Sequence, residues 1–300
     1  MAFRNIYIEN EVHLKIKNEQ LILTKNENEY SFPLEDINSI CIENQRTVIT
    51  TYALSKFIKH DIVVYVCDEK HLPTGILLGA NNYSRQLKNI KLQVTIAKPL
   101  NKRIWQNIVK QKIINQAKCL EYNEKQGFEK IENMAERVLS GDSTNIEARA
   151  AKEYFRYLFG PFFTRERDCI ENASLNYAYS IVRGMIARTL IIYGFEPAIG
   201  IFHHNELNNF NLADDFIEPF RGIIDNFVVN KIDFNHNVLS AEDKRKIYDI
   251  VNLLVLIDGK KFNVQGAIEY MIKSYSTSIN SGKDCIKVPE IIPMEEYRYA

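Results

Sequence analysis

The sequence predicts an α+β protein of two domains, a small N-terminal β-rich domain over residues 1–82 and a larger all-α domain over residues 83–300. Three observations predict it. From Ile6 to Leu78 apolar and polar residues alternate in short runs at the strand period of two. From about Ser84 to about Ser278 the apolar spacing lengthens to three and four, which is the helix period. Between them stands Gly79-Ala80-Asn81-Asn82, a breaker cluster where a boundary belongs. With 300 residues, 46% of them hydrophobic, the chain has apolar surface enough for both cores.

In the first domain Val12, Leu14 and Ile16 alternate with His13, Lys15 and Lys17, as a half-buried strand does. The apolar runs Leu21-Ile22-Leu23 and 62–66 read as buried strands. One helix interrupts them over residues 51–59, with Thr50 or Thr51 as N-cap and Tyr52, Leu54, Phe57 and Ile58 among its polar positions. In the second domain Ile90, Val94 and Ala97, then Ile104, Ile108 and Ile113, keep helical spacing. Residues 174–193 are the most apolar of these helices and are expected at the centre, with Gly194 where a left-handed stop belongs. The stretch from Gly282, with Pro289 and Pro293, reads as an extended tail.

Charge adds the first functional hint. Basic and acidic residues balance at 38 each, which removes any global argument for a nucleic-acid or membrane-surface protein. Ten of the basic residues, from Lys70 to Lys118, fall in one stretch without an Asp or Glu. Such a stretch suits either a phosphate backbone or a solvated helix face. The five cysteines are scattered and form no CxxC pair, so a disulfide framework and a zinc knuckle are not expected and a reducing cytoplasm is. No apolar run approaches the roughly 18 residues of a membrane span, and no glycine-rich strand-to-helix phosphate loop is present. A membrane association and a nucleotide-dependent small-molecule enzyme are therefore not expected.

Three segments carry candidate metal ligands. Glu147 opens a helical run, where the spacing Thr144-x-x-Glu147 also fits a capping box. His203 and His204 are adjacent, and since neighbouring side chains diverge, at most one of them shares a site with distant carboxylates. Asp214, Asp215 and Glu218 fall on one side of a helix that Pro219 ends or kinks, and like charges so placed repel unless a cation neutralises them. Carboxylates with one imidazole suit Mg²⁺ or Mn²⁺, the nitrogen ligand favouring Mn²⁺. The same carboxylates also suit a helix N-terminus with no metal at all.

Taken in order, Glu147-x-x-Ala150-Ala151-x-x-Tyr154-Phe155, Leu175-Asn176-Tyr177-x-Tyr179, Gly194-x-x-Pro197-x-x-Gly200-x-x-His203 and Asp215-x-x-Glu218-Pro219-Phe220-Arg221 resemble the CRISPR-associated integrase family, Cas-one. The resemblance is closest to the type II branch. It implies a metal-dependent DNA endonuclease and integrase that inserts foreign DNA fragments into a CRISPR array, with Glu147, His203 and Glu218 as catalytic metal ligands. Whether Asp214 or Asp215 shares or replaces the role of Glu218 stays open. The partners it implies are DNA (foreign fragments and the CRISPR repeat), a homodimer formed through the β-rich domain, the small protein Cas-two and further type II adaptation proteins. With that context Arg85, Lys88, Lys91, Lys102 and Arg103 become DNA-contact candidates. Arg221 is a candidate for a phosphate oxygen or for an ion pair with Asp214 or Asp225. Two other readings use the same residues: a stand-alone nuclease on branched or single-stranded DNA, and a non-catalytic helical DNA-binding scaffold that needs no metal.

Overall fold

A computed structural model of the chain describes residues 4–69, 73–77, 79 and 86–296. It divides into two compact units, Met1–Ser84 and Arg85–Ala300. The junction expected at residues 82–83 lies outside the described residues, as do Lys70 and Arg85.

The first unit is β-rich, as the period-two pattern requires. Strands β1 (Arg4–Ile8), β2 (His13–Lys17), β3 (Gln20–Lys25), β4 (Asn28–Pro33), β5 (Ile37–Ile42) and β6 (Val48–Ile49) precede helix α1 (Thr51–Lys59), and β7 (Val63–Cys67) and β8 (Pro73–Leu77) follow it. One sheet runs β1-β5-β7-β8 and the other β4-β3-β2-β6. The strands β1, β5 and β7 are parallel, and α1 stands in the connection from β5 to β7 that such pairing demands. Thr50 caps α1 by accepting from the Ala53 amide at 3.1 Å, a contact worth about 1 kcal/mol. Leu14, Leu21, Ile40, Phe57 and Val64 draw both sheets and the helix into one core.

The second unit is mainly helical. Its elements are α2 (Gln86–Thr95), α3 (Lys98–Tyr122), α4 (Phe128–Ala135), α5 (Ile146–Phe159), α6 (Ile170–Ile192), α7 (Asn211–Ile217), α8 (Arg221–Lys231), α9 (Ala241–Tyr248) and α10 (Val264–Ser281). The expected central helix is α6: Leu175, Ala178, Val182, Ile186 and Leu190 are all at 0% exposure. The expectation of an all-α domain needs one correction, because β9 (Leu254–Ile257) and β10 (Lys260–Asn263) form an antiparallel hairpin. Asp258 and Gly259 close it with φ of 51° and 74°. An Asp-Gly pair adopts two such left-handed residues at little cost, and it outweighs the helical spacing of its neighbours. The tail beyond Gly282 runs extended beside this hairpin, Leu256 bridging Glu290 and Leu253 bridging Glu296. Among the described residues no helix is long and apolar enough to cross a membrane.

Close helix approach then positions the site. A Cβ on Gly222 of α8 would stand 2.6 Å from the Asn115 carbonyl carbon of α3, so only glycine permits that crossing. Buried Asn115 donates to the carbonyls of Pro219 at 2.7 Å and Pro289 at 2.9 Å, and accepts from the Ile291 amide at 3.1 Å. One side chain thus ties α3, the tail and the short 3₁₀ turn that carries Glu218.

Candidate active site

Glu147, His203 and Glu218, which lie far apart in sequence, line a single cleft of about 280 Å³ together with Lys112, Gln116 and Arg221. Each is delivered by a different element, and the local reasons differ.

Glu147 sits in the first turn of α5. The Thr144 capping box does not form, because the helix starts one residue late for it. Asn145 is the N-cap, at φ 52°, which makes Glu147 the second helical residue. Asp142 caps in its place, its two oxygens accepting from the amides of Ile146 at 2.9 Å and Glu147 at 3.0 Å. The Glu147 side chain is thereby released from capping and turns to the cleft.

His203 is held by Asp215, which is completely buried. The carboxylate of Asp215 accepts from the backbone amides of Ile201 at 2.5 Å, Phe202 at 3.1 Å and His203 at 3.2 Å. It also stands 2.7 Å from Nδ1 of the His203 ring. An ionised carboxylate only accepts, so Nδ1 carries the proton and Nε2 keeps its lone pair. That bond to Asp215 raises the imidazole above its ordinary 6.5, against the opposing effect of burial. Gly200 is required here: a Cβ would meet the His203 carbonyl at 2.2 Å and Asp215 at 2.9 Å. Trp105 of α3 supports the loop from below, its ring stacked 4.3 Å from Phe202 and edge-on to His203. His204 is exposed and does not line the cleft.

Glu218 begins the 3₁₀ turn between α7 and α8. Its side chain is 6% exposed and paired with two cations: Arg221 donates from Nε at 2.8 Å, and the Lys112 ammonium bonds the other oxygen. Burial pushes this carboxyl up, but Arg221 and Lys112 outweigh burial and hold it at about 2. The same Lys112 ammonium also bonds Glu147. Two buried or half-buried carboxylates therefore converge on one cationic head, itself 5% exposed. Burial opposes the charge on Lys112, and Glu218 and Glu147 more than restore it.

The three carboxylates expected on one helix side do not share a partner. Asp214 turns to Arg183 of α6, which binds it in a fork at 2.5 and 2.9 Å. Asp215 serves His203, and only Glu218 meets Glu147. Arg221 pairs directly with Glu218, not with Asp214 or Asp225, and its guanidinium lies 4.6 Å over the Tyr179 ring. Behind that ring, buried Asp225 of α8 accepts hydrogen bonds from Tyr154 of α5 at 2.9 Å and from Tyr179 of α6, which locks three helices around the cleft. Burial raises its carboxyl to about 6.

Among the described residues no three His, Cys, Asp or Glu side chains are grouped closely enough to enclose an ion. The donors nonetheless fit one. Two oxygen donors already share a cation, in the form of the Lys112 ammonium, and an imidazole oriented by a buried carboxylate lines the same cleft. Of the DNA-contact candidates, Lys88 and Lys91 on α2 and Lys102 and Arg103 on α3 are all exposed. Lys112, read from sequence as one more surface cation, is instead buried inside the site.

The model of the CRISPR associated protein Cas1 family matches residues 6–251. A CRISPR-associated endonuclease Cas1 from Neisseria meningitidis serogroup C is 40% identical over 305 residues, covering 100% of both chains. Among solved structures, a casposase bound to its integration product superposes with a TM-score of 0.76 at 17% identity, covering 95% of this chain and 92% of that one. A Cas6-RT-Cas1–Cas2 complex superposes at a TM-score of 0.71 and 17% identity, covering 94% of this chain and 35% of that one. The family model and the relatives together define the class of CRISPR-associated proteins. Within that class the chain belongs to the Cas1 family, as the ordered motifs implied.

Proposed function

We propose that this protein joins foreign DNA fragments to a CRISPR repeat in a type II-like adaptation system, within the cytoplasm, using a Mg²⁺ or Mn²⁺ ion held by Glu147, His203 and Glu218. The observation that carries the reading is the convergence of Glu147 and Glu218 on one cationic head beside an imidazole with its Nε2 open. When bound, the ion supplies charge stabilisation and nucleophile activation at the scissile phosphodiester. A 3′-hydroxyl oxygen forms the new bond to phosphorus and gives up its proton to solvent, and the 3′-oxygen of the cut strand leaves and takes up a proton in turn. One phosphodiester is exchanged for another, so no external energy is needed. Asp215 fixes the neutral His203 ring in the tautomer that leaves Nε2 free to ligate, and Arg221 holds Glu218 ionised. The likeness to the casposase bound to integration product supports strand joining. Cas2 is the partner that the Cas1–Cas2 complex supports, and a homodimer through the β-rich unit would present two equivalent sites to the two ends of one fragment. The named activity of the Neisseria relative, an endonuclease, favours hydrolysis as a second outcome of the same residues, with water in place of the hydroxyl.

A supercoiled plasmid with a CRISPR repeat, a short duplex with free 3′-hydroxyls, Cas2 and Mn²⁺ test this directly. Covalent joining is expected, lost with EDTA and with 3′-dideoxy ends. Cleavage without joining selects the nuclease reading. DNA binding that proceeds unchanged in EDTA with no reaction in Mn²⁺ selects the scaffold.

A second expected outcome concerns the path of DNA. Replacing exposed Lys88, Lys91, Lys102 and Arg103 with alanine should weaken binding to any sequence. The slope of log affinity against log salt should flatten by about 0.9 for each phosphate no longer neutralised. Fluorescence anisotropy over a salt series measures it, and an unchanged slope moves the DNA to another face.

A further inference from the structure

Gln116 stands one turn after Lys112 on α3, and its side chain lines the cleft with Lys112, Glu147 and Glu218. It is 0% exposed, yet among the described residues neither its carbonyl oxygen nor its amide nitrogen has a hydrogen-bond partner. Its neighbour differs. Asn115, equally buried, has its amide and its carbonyl both satisfied by the turn and the tail it ties together. Asn115 is a structural amide; Gln116 is not used by the fold. Burying a carboxamide with both ends unpaired is costly, and a methionine of nearly the same shape would avoid that cost. Close packing also fixes the position, since a Cβ on Gly222 would lie 2.7 Å from the Gln116 backbone nitrogen.

A ligand entering this cleft can supply the partners, and the amide specifies their chemistry. Its nitrogen donates, which suits a phosphate oxygen. Its oxygen accepts, which a phosphate cannot satisfy and a hydroxyl can. We infer that Gln116 orients the attacking 3′-hydroxyl against the scissile phosphate, Oε1 accepting from the hydroxyl and Nε2 donating to a non-bridging phosphate oxygen. This rests on the integrase reading above, which brings those two groups to this cleft. The Lys112 side chain reaches from the same wall to Glu147 and Glu218, so the amide lies beside the carboxylates where the reacting groups must come.

Two variants test it in the full-length protein, Gln116→Met and Gln116→Glu. The direct readout is the affinity, by anisotropy in Mn²⁺ without a repeat target, for a duplex ending in a 3′-hydroxyl against the same duplex ending in a 3′-deoxy sugar. Wild type should prefer the hydroxyl end several-fold. Gln116→Met should erase that preference, slow joining on the order of a hundredfold at saturating DNA, and show a melting temperature equal to or above wild type. Gln116→Glu keeps the acceptor and should keep the hydroxyl preference. A preserved preference in Gln116→Met, or a lowered melting temperature with normal joining, overturns the inference and makes the amide structural. Absence of any preference in wild type overturns it even where joining proceeds. A wild-type preference without joining defeats the integrase reading alone.

Discussion

Glu147→Gln and His203→Ala are each expected to bring metal-dependent strand joining down about a thousandfold or more, whereas His204→Ala stays within a few-fold of wild type. An ion that stabilises several kcal/mol of developing charge is worth that factor, at roughly 1.36 kcal/mol for each tenfold. His204 is exposed and outside the cleft, so its loss removes no donor. Glu218→Gln should lose activity equally but also stability, because the variant leaves Arg221 and Lys112 facing a neutral amide. Its carboxyl, lowered to about 2 from 4.5, contributes stability that is present above about pH 4.5 and lost as pH falls toward 2. Glu147→Gln is therefore the cleaner test of chemistry. The pH profile checks the same assignment. His203 must be neutral to ligate, and Asp215 raises its pKa above 6.5. Proton and ion compete for Nε2, so the acid limb of joining should move to lower pH as Mn²⁺ is raised. Asp215→Asn should move the limb to lower pH while slowing the plateau about 10- to 100-fold through lost ring orientation. A strand-transfer assay from pH 5.5 to 8.5 with all five variants measures each effect. Activity in His203→Ala with loss in His204→Ala would shift the motif register by one.

The layout and the three candidate ligands were legible in the sequence because they rest on local period and ordered motifs. What was not legible depends on long-range partners. The spacing of Asp214, Asp215 and Glu218 gives their neighbours on one helix, but Arg183, His203 and Lys112 come from other elements and pull the three apart. Thr144 and Glu147 matched a capping box by spacing, yet Asn145 in a left-handed conformation starts the helix one residue later and gives the cap to Asp142. Lys112 was hidden in a basic run. One signal did mark it: Lys112, Asn115 and Gln116 sit among Ile108, Val109, Ile113, Ala117 and Leu120, on a helix whose apolar residues wrap most of its circumference. Polar residues that fall within the apolar arc of a helix are buried, and buried polar residues need partners. Likewise Asp258-Gly259 between two apolar runs spells a hairpin, which the helical spacing on either side concealed.

Lys112→Met should expose what the buried ammonium does in the protein without metal. In wild type it neutralises Glu147 and Glu218 together, at a place where 5% of its side chain reaches solvent. Removing it leaves Arg221 on one oxygen of Glu218 and no cation on Glu147 in the cleft. Breaking one partner out of a buried ion pair costs about 3–5 kcal/mol. For a unit of this size, at roughly 2–4 °C per kcal/mol, the melting temperature in EDTA should fall on the order of 10 °C. A divalent ion brought to the same two carboxylates replaces the lost charge. Mn²⁺ should therefore raise the melting temperature of Lys112→Met by more than it raises that of wild type, where the ion must first displace the ammonium. Binding titrations should show the variant taking up Mn²⁺ more tightly for the same reason. Thermal shift and calorimetry with and without EDTA measure both. Equal shifts in the two proteins would mean that ion and ammonium occupy different places, and that Glu147 and Glu218 are a structural pair whose cation is always lysine.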